Sequence, residues 1–197
     1  MRTGAFTAIL VTLAGLTARE VASQWYIGVE LTPAHYGGSA RDTSGNPHAR
    51  PGDAVSVGLR VDRRMGQMGA TLRLSYGKPG LSLSGEGLTI TDKTAGQLLE
   101  CVGLMSFRVG GIGPSGAIRA ELGPALHLWK VGDEIRTRVG VLTAMAYEWT
   151  IVGKLSGALR TEGTLSKSWF DATDLPSEYR RQATWRYGVG LGLHYRL

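Results

Sequence analysis

The sequence predicts an all-β protein: a single eight-stranded antiparallel up-and-down barrel whose strands cross a membrane, after a cleaved signal peptide. Three observations predict it. Polar and apolar residues alternate with period two through eight segments, and helical periodicity is almost absent. The segments run about 9 to 16 residues, longer than the roughly 5 to 6 of ordinary strands and suited to the roughly 9 to 11 of a tilted membrane strand. The connections are mostly short on one side and long on the other, as membrane barrels make them.

The first 23 residues read as the signal peptide and residues 24–197 as the barrel domain. Arg2 gives a short positive region, residues 5–18 are uncharged and apolar, and Val21-Ala22-Ser23 offers small residues for cleavage. The apolar run is too short for a spanning helix, which needs roughly 20 residues. The single Cys101 allows no internal disulfide.

The strands follow in order. Residues 24–32 place Trp25, Ile27, Val29 and Leu31 on one face and Glu30 on the other. Residues 53–64 set Val55, Val57, Leu59 and Val61 against Arg60 and Asp62, and residues 67–76 set Leu72, Leu74 and Tyr76 against Arg73. Residues 97–109 are less clean. Leu99, Cys101, Met105, Phe107 and Val109 form the apolar face, because Glu100, Ser106 and Arg108 then fall together, although Val102 and Leu104 run against this. Residues 117–129 set Ile118, Leu122, Leu126 and Leu128 against Arg119, Glu121 and His127; Pro124 predicts a bulge or a local break. Residues 134–149 set Val139, Val141, Met145, Tyr147 and Trp149 against Arg136, Arg138 and Glu148. Residues 154–166 set Leu155, Leu159 and Leu165 against Arg160 and Glu162. The last strand carries Trp185, Tyr187, Val189, Leu191, Leu193, Tyr195 and Leu197 opposite Arg186, Gly188, Gly190, Gly192, His194 and Arg196.

Short connections fall at residues 65–66, 110–116 and 150–153. Long ones fall at 33–52, 77–96 and 167–183, and the connection at 130–133 breaks the pattern. Residues 81–91 alternate too, with arms too short to span, and read as a hairpin above the membrane. Alternation alone leaves the sidedness open, because a soluble calyx turns its apolar face inward. Two features point to apolar-out. Glycines stud the polar face, where a narrow interior needs small residues. Aromatics also gather at the strand ends: Trp25, Phe107, Tyr147, Trp149 and Tyr195 on the turn side, Tyr76, Trp185 and Tyr187 on the loop side. These form two interface girdles.

The ending, with Gly192 followed by Tyr195 and Leu197, resembles the C-terminal signal of outer-membrane barrels, where Leu197 stands in place of the more usual Phe. With the signal peptide and eight strands, residues 24–197 resemble the small OmpA/OmpX-like barrels. The resemblance implies residence in the bacterial outer membrane, contact with its lipid, and reading of Gly192, Tyr195 and Leu197 by the barrel-assembly machinery. Pairing of the last strand with the first would leave no open edge in lipid.

Candidate chemistry is sparse. Residues 111–116 spell G-x-G-x-x-G, but strand follows where a dinucleotide site needs a helix, so this is a turn. Residues 42–48 carry oxygen donors without calcium-loop spacing. His35, His48, His127 and His194 lack the His-aromatic-Ser-Asn signature of barrel deacylases. No catalytic residue, cofactor or metal is expected. A net charge of +6 spread over the strands makes no nucleic-acid stripe. The remaining constellation is the predicted interior: Glu30, Arg60, Arg73, Glu100, Arg108, Arg119, Glu121, Arg136, Arg138, Glu148, Arg160, Glu162, Arg186 and Arg196. Eight strands leave a bore that side chains can fill, so these charges are expected to pair into a plug. Arginines exceed acids here, which keeps open a narrow anion-preferring pore.

The reading is therefore a non-enzymatic, monomeric barrel whose function lies in loops 33–52, 77–96 and 167–183. The last loop, with Trp169 and Phe170, is expected to be the contact surface. The alternatives are a small pore, a lipid A-modifying enzyme and a soluble lipocalin-like carrier.

Overall fold

The computed structural model describes residues 23–42, 48–85, 88–113, 115–171, 173 and 177–197. The signal-peptide reading at residues 1–22, most of the loop at 42–48, Pro114 of the glycine-rich turn and Asp174 lie outside the described residues.

Among the described residues eleven strands occur: β1 (Gln24–Asp42), β2 (His48–Pro51), β3 (Ala54–Met65), β4 (Met68–Gly77), β5 (Leu81–Gly85), β6 (Leu88–Asp92), β7 (Gln97–Gly110), β8 (Gly116–Val131), β9 (Glu134–Val152), β10 (Leu155–Ser166) and β11 (Tyr179–Arg196). Eight of them, β1, β3, β4, β7, β8, β9, β10 and β11, pair antiparallel in a ring. The ring closes between β11 and β1, from Tyr26 opposite Arg196 to Asp42 opposite Tyr179, with one register shift between Gly38 and Ala40. The Leu197 amide donates to the Trp25 carbonyl at 2.9 Å. Each of the eight spanning strands is paired on both sides, as hydrocarbon requires.

The strands are longer than their alternation suggests. β1 continues past Pro33 because Pro33 lies opposite Val55 without breaking the ladder, so the first loop is shorter than 33–52. β11 likewise begins at Tyr179, inside the expected loop at 167–183. Gly66 takes φ 62° in the two-residue turn joining β3 to β4, a left-handed geometry that suits glycine. The hairpin expected at 81–91 exists as β5–β6, but it does not stand alone. β2 pairs with β1 on one side and β5 on the other, so the first two loops form one loop-side sheet. Among the described residues β6 is its unpaired edge.

The outer face is apolar. Leu72, Val141 and Leu191 are 60%, 53% and 62% exposed, and residues two positions along each strand, such as Leu74, Val139 and Val189, are exposed too. A soluble calyx would bury these rows. Val102 and Leu104 are buried in the lumen with Ala125, Leu142 and Ala144. The fourth spanning strand thus keeps the chosen face and places two apolar residues inside, where the β7–β9 wall supplies small and apolar partners. Pro124 causes a local break. The β7–β8 ladder lapses at Gly103–Leu104 and resumes in the same register, while β8–β9 stays continuous. Beside it, a Cβ on Gly123 would lie 1.9 Å from the Gly103 carbonyl oxygen, so only glycine fits that approach.

Candidate functional site: the lumen and its two ends

The polar faces converge on the barrel axis. Arg60 contacts Glu30 at 2.7 Å, Asp62 at 2.8 Å and Glu121 at 2.8 Å. Arg160 lies across from it, 2.8 Å from Glu121 and 3.4 Å from both Glu30 and Glu162. Nearer the loops, Arg73 bonds Glu162 at close range and Glu100 at 2.7 Å. Arg186 joins the same two carboxylates at 2.8 Å and 3.0 Å. His127 Nε2 lies 2.9 Å from Glu100, poorly aimed for a hydrogen bond. Towards the turns, Arg64 grips both oxygens of Glu148, and Arg119 reaches Glu148 through Nε at 3.2 Å. His194 sits between Glu30 and Glu148, 3.7 Å and 3.8 Å away.

The network thus sets six arginines (Arg60, Arg64, Arg73, Arg119, Arg160, Arg186) against six carboxylates (Glu30, Asp62, Glu100, Glu121, Glu148, Glu162). Each arginine offers five donors in a planar fork, so one guanidinium can bridge carboxylates on several strands. Such pairing is what keeps charge tolerable away from water. A void of about 10 Å³ beside Glu30, Arg73, Glu162 and Arg186 has room for about one water.

Four of the expected interior residues lie elsewhere. Arg108 is exposed at the turn-side rim, where β7 ends. Arg136 and Arg138 lie at the loop end, and Arg138 donates to the carbonyls of Ser168 and Trp169 and to Asp171. Arg196 is half-buried at the turn-side end of β11. The alternation gave their facing correctly but not their height. Four network members absent from the expected set are Asp62, Arg64, His127 and His194. Asp62, His127 and His194 shared the polar parity of their strands and could have been found by it. Arg64 lay at a predicted strand end, and its side chain reaches back under the ring.

An aromatic cluster occupies the loop end. Trp129 packs on Tyr36 at 6.1 Å and Trp169 at 5.3 Å between ring centroids, and Phe170 follows Trp169 at 5.3 Å. Leu98 and Ala34 complete the cluster. Trp169 is 1% exposed. This corrects its expected role as a surface anchor: the last loop folds inward, held by the Arg138 bonds and by Ser168 donating to the Ser39 carbonyl at 2.7 Å. Arg186 lies beneath, 5.9 Å from the Tyr36 ring centre.

On the outer wall, Trp25, Tyr76, Phe107, Trp185, Tyr187 and Tyr195 are exposed. Tyr147 and Trp149 are half-covered and stacked at 5.6 Å, lying over the bare backbones of Gly116 and Gly157. At the loop-side rim, Arg50 donates to Asp53 at 2.8 Å and to the Tyr36 carbonyl at 2.8 Å, and His35 contacts Asp53 at 2.9 Å. Partial burial works against the Asp53 carboxylate, but the bonds from Arg50 and His35 outweigh it and hold its pKa below the ordinary value.

No protein-family model and no curated protein sequence matches the chain. Solved structures do. Neisserial surface protein A is similar with a TM-score of 0.60 at 10% identity, over 88% of this chain and 97% of that one. A major outer membrane protein from Thermus thermophilus gives 0.47 at 12% identity, over 88% and 99%. Ail, the attachment invasion locus protein of Yersinia pestis, gives 0.44 at 10%, over 88% and 97%. Strand ring, apolar exterior and the likeness to Neisserial surface protein A agree: this chain has the fold of the small eight-stranded outer-membrane β-barrels.

Proposed function

We propose that the protein is a non-enzymatic, monomeric outer-membrane barrel with a closed lumen, acting through its loop-side surface. The observation that carries the closure is the balance of six arginines and six carboxylates. A conducting anion path needs uncompensated positive charge along its length, and the balanced centre offers none. The aromatic cluster above it supports the same reading.

The surface role rests on the loop-side sheet. β6 has a free backbone edge, and its Leu88 and Ile90 are 64% and 61% exposed above the barrel. An extended segment of a partner can add to such an edge by main-chain hydrogen bonds. Loops 33–52 and 77–96 therefore supply the contact surface in this reading. From the last loop, the exposed Lys167 and the half-exposed Asp171 add to it. Lipid contact is supported by a groove of about 810 Å³ on the outer wall. Val55, Val57 and Val189 line it for an acyl chain, and Lys78 and Lys93 stand near its rim for an anionic headgroup. Gly192 and Tyr195 lie on the closing strand and Leu197 directly follows it; this reading takes the three as the assembly signal.

The test is electrical. Folded protein inserted into a planar lipid bilayer is expected to give no discrete conductance steps. Reproducible steps from the unmodified protein would replace this reading with the narrow pore.

A further inference from the structure

One further arginine, Arg108, stands at the turn-side mouth outside the balanced network. Three arginines, Arg64, Arg108 and Arg119, line an open polar cavity of about 510 Å³ there, with Glu148 as the acid among its lining residues. Arg64 occupies both Glu148 oxygens at 2.7 and 2.8 Å. That leaves Arg119 one longer contact through Nε. Arg119 is 6% exposed, and its Nη1 makes no hydrogen bond among the described residues. Arg108 forms no ion pair among the described residues; it lies directly opposite Arg119 across the β7–β8 ladder, and the register shifts immediately after it. Like charges so placed repel. A buried donor left unmet is also costly. Strand bulges tend to sit where a side chain is re-aimed towards a site.

We infer that this mouth binds a small oxyanion of the phosphate class, held by Arg108 and Arg119. The two arginines stand on neighbouring strands and line one cavity, so their guanidinium donors serve the same space. A tetrahedral oxyanion offers acceptors to both groups and offsets the charge of Arg108 that the six-to-six network leaves over, whereas a planar monocarboxylate has fewer acceptors to share between them. Ser115 and Ser156 line the same cavity and add hydroxyl donors. The cavity exceeds a bare phosphate ion, so the organic part of a monoester fits as well. The site lies at the opposite end from the surface proposed for partners and is independent of it.

Calorimetric titration of inorganic phosphate into the whole detergent-folded barrel at low salt tests the site. Saturable binding is expected, weakened about tenfold or more by Arg108→Gln and unchanged by Lys130→Gln at the exposed far end of β8. If Arg108→Gln loses heat-modifiable gel mobility, Arg108→Lys keeps the charge without the fork and is expected to weaken binding about threefold or more. Glycerol phosphate binding more tightly than phosphate would assign the site to esters, and equal binding to the free ion's chemistry alone. A flat titration, equal weakening by Lys130→Gln, or acetate binding as tightly as phosphate would overturn the proposal.

Discussion

Compared along the barrel axis, the middle of the lumen and its loop end are filled by opposite chemistry. The middle is made of charges carried by the spanning strands: Glu100, for example, meets Arg73, Arg186 and His127 from β4, β11 and β8. The loop end is made of rings, and one of the largest, Trp169, comes from a loop. The first filling is locked to the ladder register and cannot move without the barrel. The second depends on a segment that strand pairing does not fix. The difference predicts that injuries to the middle unfold the protein, whereas injuries to the end loosen it locally.

The largest effect should come from Glu100→Leu. It leaves Arg73 and Arg186 sharing Glu162, with one buried positive charge uncompensated, and should cost about 3–5 kcal/mol, read as a lower urea midpoint for loss of heat-modifiable mobility. Trp169→Ala should cost less, about 1–3 kcal/mol, short of a full core truncation because the loop can settle onto Trp129. It should leave the bilayer electrically silent, because the charged middle is untouched. Equal costs for the two substitutions would erase the distinction between the regions.

Asp53 gives a smaller, pH-dependent effect. Its folded pKa is lowered, so its contribution is complete above the ordinary value of about 3.9 and is lost as pH falls through the folded value. The carboxyl is more than half exposed, so the contribution should stay below about 1 kcal/mol. Asp53→Asn should therefore converge with the parent only at acid pH; a gap that widens there would reverse the assignment. Smallest of all, Leu88→Lys with Ile90→Lys on the free edge should move stability by no more than about 0.5 kcal/mol, since both side chains already face out.

Much of this was legible before the structure. Period-two alternation separated Arg60, Arg73 and Glu162 from Leu59, Leu72 and Leu159, because one missed step would reverse every side chain in a strand. Height was less legible. Arg108 and Arg138 have interior parity, yet β7 ends at one mouth and the other residue answers to a loop carbonyl. Partners between distant strands were not legible at all: nothing near Arg64 in the chain names Glu148. Trp169 misled for a related reason. An aromatic flanked by charges reads as a surface feature, and only the open mouth of the barrel supplies the apolar place it fills. Likewise β2 and β5 belong to different loops, and nothing within either stretch names the other as its partner.

Membrane barrel and soluble calyx differ in which way the rows of side chains point, and spin-label accessibility measures that directly. A nitroxide at Leu191→Cys, in a Cys101→Ala background reconstituted in lipid, should collide readily with oxygen and scarcely with a water-soluble nickel chelate, and one at Val141→Cys should match it. Ready collision with the chelate at both positions, with oxygen access suppressed, would put these residues at an aqueous surface and contradict the membrane barrel described here.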